Sequence, residues 1–180
     1  MNEFILLNLR NSSWKNADDW VIVCDMDEWI CVNESQLKME EEKGTTILKI
    51  KGYNMIADSQ SEDLSDLDLQ TLSRGMFNPY ECKNLCFDAR KIKKMNYSLG
   101  AHHCLPEGQA KFSESEYILK HMDELGFPYK CYKNKIRFNR SEMMRKQYNM
   151  LTHYVDDPSI LRQTLDKLLR ESYDMSELLS

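Results

Sequence analysis

Trp20-Val21-Ile22-Val23-Cys24-Asp25-Met26-Asp27-Glu28 is the stretch that decides how this chain is read. Trp20 to Cys24 runs without a charged side chain and ends in Asp25, with Asp27 and Glu28 close behind. A short continuous apolar run predicts a strand buried on both faces, as in a mainly parallel sheet. Acidic residues directly after such a strand stand at the carboxyl edge of the sheet, where open α/β sheets bind ligands. Alternation along extended chain sends Asp25 and Asp27 to the same side. Two carboxylates on one side repel each other unless a cation or a proton lies between them. Oxygen ligands of this kind suit Mg²⁺ or Mn²⁺, which commonly bridge to substrate phosphates. The competing reading is an exposed acidic turn that caps whatever follows.

Around this block the chain alternates between strand and helix signals. Residues 4–17 begin as a short strand or helix and pass through Arg10, Asn11, Trp14 and Lys15. Residues 35–43 are rich in Lys, Glu and Met and stop at Gly44, a helix with a glycine after its end. Thr45–Ile50 is β-branched and reads as a strand, and Ser59–Asp68 as a polar, acidic loop. Short strands are expected at Asn84–Phe87 and at Lys91–Leu99, with a turn or loop at Gly100–His103, and Tyr117–His121 is a further short apolar run. Beyond His121 the pattern turns helical, with a break expected at Pro128 and a further helical segment from Ser141. Asp157-Pro158 is a helix start, because Asp caps free backbone donors and Pro suits the first turn. Ile160, Leu161, Leu165, Leu168 and Leu169 then repeat at helical spacing as a packing face. The expected class is α/β, a mixed sheet flanked by helices with a helical C-terminal region. No linker divides the chain, so residues 1–180 read as one domain, with an α/β part over 1–125 and a helical tail over 126–180.

Composition narrows the chemistry. With 180 residues, 42% of them hydrophobic and 29% charged, the chain can bury a real core and is globular rather than disordered or fibrous. A net charge of -5 argues against a nucleic-acid partner, whose phosphates are met mainly by Lys and Arg. No apolar run approaches the ~20 residues of a transmembrane helix. The first residues lack the basic start and cleavage region of a secretory signal, so a cytoplasmic location is the default expectation. The six cysteines form no CxxC pair. Cys82, Cys86 and Cys104 with His102 and His103 could be drawn as a zinc site, but the spacing fits no closed structural site, and reduced cysteines are the simpler reading.

The Asp25-Met26-Asp27-Glu28 block resembles the DxD region of family-2-like glycosyltransferases with the GT-A fold, in the variant that reads D-x-D-E. Arg10-Asn11, then Trp14-Lys15, then Asp19 to Val23 is similar to the Arg-Asn helix that precedes the DxD strand in that family. Lys83 to Phe87, Lys91-Ile92, Gly100-Ala101-His102 and Pro106-Glu107-Gly108 resemble its acceptor-side segment. Tyr117 to His121 resembles its late apolar run ending in histidine. The resemblance extends from about residue 8 to about residue 155. It implies metal-dependent transfer of a sugar from a nucleotide-sugar donor to a glycan or other hydroxyl acceptor. Asp25 and Asp27 would hold Mn²⁺ or Mg²⁺ on the donor diphosphate, and Asn11 would lie at the same cofactor site. His121 is the candidate that completes the metal shell, with His102 as second candidate or acceptor contact. An inverting enzyme also needs a carboxylate base, for which Glu107 and Asp88 are the candidates. Glu28 is expected to order the turn, and Trp29 either belongs to the core or lines a sugar pocket.

The resemblance departs at the amino end. Only 24 residues precede Asp25, too few for the strand–crossover–strand unit that holds the nucleoside in that family. A truncated GT-A-like sheet is therefore expected. Such a chain is inactive, works with a partner, or has a reduced donor site. The edge left open would favour a second copy or a partner chain. Two other classes stay open. One is a non-catalytic binding protein of the same fold. The other is a phosphohydrolase of the haloacid dehalogenase type, in which a strand also runs into D-x-D; Asp156-Asp157 would be its later acidic pair.

Overall fold

The computed structural model describes residues 3–149, 151–152 and 154–179. Its elements are α1 (Glu3–Ser12), β1 (Trp20–Ile22), β2 (Glu28–Cys31), α2 (Glu34–Glu42), β3 (Ile47–Ser59), β4 (Arg74–Phe77), β5 (Cys86–Asp88), β6 (Ile92–Lys94), β7 (Glu107–Gly108), β8 (Phe112–Gly126), α3 (Phe127–Arg140), α4 (Glu142–Tyr148), α5 (Pro158–Glu171), β9 (Tyr173–Asp174) and α6 (Ser176–Leu179). Single 3₁₀ turns occupy Pro79–Glu81 and Leu99–Ala101. The class is α/β, with a mixed sheet, flanking helices and a helical C-terminal region. Among the described residues no helix is long and apolar enough to cross a membrane.

The chain forms two compact units. One comprises Met1–Tyr53 and Phe77–His121, the other Asn54–Met76 and Met122–Ser180. β3 and β8 each contribute residues to both units.

In the first unit the strand order is β1-β5-β3-β8-β2. β1 pairs with β5 antiparallel, Trp20 facing Asp88 and Ile22 facing Cys86. β5 pairs with β3 antiparallel at Phe87 and Ile47, and β2 pairs with β8 antiparallel with Glu28 facing His121. β3 and β8 run in the same direction. The Thr46 and Ile47 N–H groups donate to the Lys111 carbonyl (2.9 and 3.1 Å), and the Lys49 N–H donates to Ser113 Oγ (2.8 Å), so both residue numbers rise together. The carboxyl end of β1, the Gly52–Tyr53 stretch of β3 and the His121 stretch of β8 therefore share one end of this sheet.

β1 departs from the expectation of a strand buried on both faces. It is three residues long, lies at the end of the strand order and leaves Ile22 exposed. The core forms instead on β3, β5 and β8, where Ile47, Leu48, Cys86, Phe87 and Leu119 are fully buried. Trp14, just after α1, packs edge-on against Phe87 with ring centroids 4.7 Å apart. α2 is set by a capping box: Asn33 accepts from the Gln36 N–H, and the Gln36 side chain accepts from the Asn33 N–H. It ends before Gly44, whose φ of +74° is the left-handed conformation that closes a helix.

In the second unit β4 pairs with β9, Gly75 facing Tyr173. α5 begins where expected, with Asp157 accepting from the Ser159 and Ile160 N–H groups. Leu161 and Leu165 are its buried face, while Ile160 is exposed. Pro128 does not break a helix; it stands in the first turn of α3, where a missing N–H costs nothing. α3 and α5 pack together, and the Arg162 guanidinium lies 3.7 Å from the centre of the Phe127 ring.

Candidate metal centre

The acidic block lies in the turn between β1 and β2, at the end of the first unit's sheet that His121 shares. The Glu28 N–H donates to the Asp25 carbonyl (3.1 Å), and the Asp25 N–H donates to Glu28 Oε2 (2.9 Å). Glu28 thus ties the turn to itself, as expected. The two aspartates differ. The Asp25 carboxylate is ion-paired with Arg10 of α1. The Asp27 carboxylate instead faces His121, with Oδ2 3.7 Å from Nε2.

His121 has a second carboxylate on its other ring nitrogen, Glu81 Oε1 at 3.6 Å from Nδ1. Glu81 comes from the 3₁₀ turn ahead of β5, and Gly52 on β3 is what lets that turn approach. A Cβ at Gly52 would stand 2.3 Å from the Glu81 backbone and Cβ. The Asn78 N–H donates to the Gly52 carbonyl (2.9 Å) and pins the turn there. Behind the histidine, Lys83 is buried between Glu28 and Glu81. Burial works against its charge, but Glu28 and then Glu81 outweigh the loss of solvent, and the Lys83 pKa is raised. The Lys83 ammonium lies 2.6 Å from Glu81 Oε2 as an ion pair. One ammonium serves two buried carboxylates here.

A carboxylate and an imidazole nitrogen aimed at a common point make a donor pair that fits a borderline divalent cation such as Mn²⁺ better than Mg²⁺, which prefers oxygen alone. A carboxylate on the far ring nitrogen is the usual support of a ligating histidine. Asp27 and His121 belong to the one group of metal-capable side chains found among the described residues. Asp123, two positions after His121 along β8, belongs to the second unit, where Arg137 donates to it (2.8 Å) and the Lys133 ammonium is ion-paired with it (2.6 Å).

The other residues singled out in the sequence fall elsewhere. Asn11 is spent on the backbone: its Oδ1 accepts from the Tyr97 N–H (2.8 Å), and its amide donates to the Leu7 and Tyr97 carbonyls. It clamps the Tyr97 segment and has no hydrogen-bonding capacity turned toward Asp27. Asp88 ends β5, which runs against β1, so it lies opposite Trp20 at the far end of the sheet. It is buried and held by Arg90 (Nε to Oδ1, 2.8 Å), whose bonds outweigh burial and lower its pKa. Glu107, on the small β6–β7 ribbon, is exposed and bonded to Asn96 and Lys94. It precedes β8 and lies at that same far end, beyond a strand stretch of roughly 30 Å leading to His121. Neither carboxylate is brought to the Asp27 turn.

His102 Nδ1 donates to the Tyr80 carbonyl (2.7 Å). Trp29 is 42% exposed, on a strand rather than in the core. Cys86 is fully buried and its thiol is pushed up to about 12 by burial, and no group of Cys82, Cys86, Cys104 and His102 gathers around a common point among the described residues. Asp157 serves as a helix cap, which removes half of the later acidic pair that a dehalogenase-type site needs. Glu81 and Gly52 were not singled out from the sequence, and Lys83 figured only as the first residue of the Lys83–Phe87 segment. Compared with known proteins, the chain finds no match among family models, curated proteins or solved structures.

Proposed function

We propose that this protein is a glycosyltransferase of the nucleotide-sugar type, binding a divalent cation, Mn²⁺ ahead of Mg²⁺, through Asp27 and His121. The observation that carries the reading is the Asp27–His121–Glu81 line at the end of the first unit's sheet. When bound, such a cation supplies Lewis-acid charge for the leaving nucleoside diphosphate. Within the chain, Asp27 presents an anionic oxygen and His121 a ring nitrogen. Glu81 holds the proton side of the imidazole turned away, and Glu28 and Lys83 keep the turn from relaxing. The acceptor is a glycan or another hydroxyl, and the setting is the cytoplasm. Asp88 and Glu107 are not carried forward as the base, since they stand at the other end of the sheet. A partner chain or second copy over an open sheet edge belongs to the same reading.

The Arg10–Asp25 ion pair favours a second reading. With its first aspartate neutralised by an internal cation, the motif can bind metal without turning over a donor, as a non-catalytic protein of the same fold. Calorimetry with Mn²⁺, followed by a nucleoside diphosphate, tests both. Metal-dependent nucleotide binding that Asp27→Ala abolishes, together with hydrolysis of a nucleotide sugar, supports the transferase. Metal binding without nucleotide binding supports the second reading. Absence of metal binding by the wild-type chain sinks both.

A further inference from the structure

Charge is distributed very unevenly along this chain. Between Phe127 and Tyr148 stand seven Lys and Arg residues against a single acid, Glu142, so α3 and α4 carry a formal +6. The whole chain carries -5, which leaves -11 on the remaining residues. Some of these cations are used internally. Lys130 is buried against Glu124, Lys133 and Arg137 hold Asp123, and Arg145 lies over the Phe138 ring. Lys130, Lys133 and Arg137 of α3 are the ones turned inward.

The outward face is different. Tyr132, Lys135, Ile136, Asn139 and Arg140 are all exposed and recur at the three- and four-residue spacing of one helix face. Tyr132 is 52% exposed and Ile136 45%, and Met143 on α4 adds a third large apolar side chain at 55%. Neither Lys135 nor Arg140 has an ion-pair partner among the described residues. A helix face with exposed apolar side chains between unpaired cations is poorly suited to an aqueous surface. It matches the boundary of an anionic bilayer, where apolar groups enter the acyl region and basic side chains meet the headgroups.

We propose that the outward face of α3, continued by Met143, docks the protein on anionic phospholipid membranes, lying on the surface rather than crossing it. The acidic remainder of the chain is repelled by the same lipids, so attachment is confined to this face. The proposal is independent of the metal centre and of the reaction assigned to it.

The test is flotation of the full chain with phosphatidylcholine vesicles made with and without phosphatidylglycerol. The expected result is binding only to the anionic vesicles, lost on raising the salt concentration. The double variant Lys135→Gln/Arg140→Gln should bind roughly 25-fold more weakly, about fivefold for each charge removed. Ile136→Ser should also weaken binding while leaving the salt dependence intact. All three side chains are exposed, so the thermal melts should match the wild type. Equal binding to neutral vesicles, binding undiminished by salt, or full binding by the double variant would overturn the proposal. So would retention of an RNA oligonucleotide with no vesicle binding, which would assign the basic face to nucleic acid.

Discussion

The two ends of the first unit's sheet treat their carboxylates differently. At the far end Asp88 is buried, yet Arg90 meets both of its oxygens, and Glu107 is exposed to solvent with Lys94 and Asn96 beside it. Each negative charge there is answered locally, as in a surface that only has to fold. At the Asp27 end, Glu28 and Glu81 share one buried ammonium, and Glu81 reaches on to His121 and through it to Asp27. Buried charge that is only partly compensated costs stability, and such arrangements cluster where a ligand completes the balance. The contrast separates acids paired one to one with a cation from acids that share one, a distinction that residue type alone does not make.

The largest effect should come from Lys83→Met. It removes the one cation between two buried carboxylates and should cost about 3–5 kcal/mol, read from urea unfolding at pH 7. That pH is the right place to look: the Lys83 pKa is raised, so its contribution is complete below the ordinary lysine value and is lost only as pH climbs past its folded value. An unchanged midpoint would show that the two acids are not both ionised, and the contrast between the ends would collapse.

Next is metal affinity. Asp27→Ala should weaken Mn²⁺ binding by at least about 100-fold, or ~2.7 kcal/mol, while Asp25→Ala, which frees Arg10, should leave most of it. Equal losses would return Asp25 to the ligand set. Glu81→Gln should lower Mn²⁺ affinity by about 10- to 100-fold without touching a ligand, and Gly52→Ala should do the same by pushing the Glu81 turn off β3. Electron paramagnetic resonance of free Mn²⁺ reads both. Undiminished affinity in Glu81→Gln would reduce Glu81 to a neighbour.

At the far end the effects should be smaller and confined to stability. Asp88→Asn should cost about 1–2 kcal/mol near neutral pH by weakening charge-assisted bonds from Arg90. The Asp88 pKa is lowered by Arg90, so its contribution is present above the ordinary aspartate value and fades as pH falls through the folded one. Wild type and variant should therefore converge in acid. A gap that persists there would mean that shape, rather than charge, holds this residue. Glu107→Gln, at an exposed carboxylate, should alter neither the melting temperature nor Mn²⁺ affinity; a change in affinity would bring it back to the site.

Much of the local structure was legible because it rests on short-range rules. Gly44 closes α2 and Asp157-Pro158 opens α5 through backbone geometry that depends on a few adjacent residues. The link between Asp27 and His121 was half legible, since each follows an apolar run. Their meeting, however, depends on β2 pairing with β8 in the register that sets Glu28 opposite His121. The apolar run at β1 misled for the same reason. Five apolar residues look like a central strand, but an edge strand can be as apolar when one side packs on the core, as Trp20 and Val21 do.

By itself the sequence determined the α/β class, the caps, and the placing of an acidic turn directly after a strand, all properties of periodicity and nearest neighbours. The tertiary structure alone decided which acids share an end of the sheet. It put Asp88 and Glu107 away from the turn and tied Asp25 to Arg10. It also brought Glu81 to His121 through a contact that only a glycine at position 52 permits. Strand direction and close approach across many residues govern those outcomes, and a linear pattern carries neither.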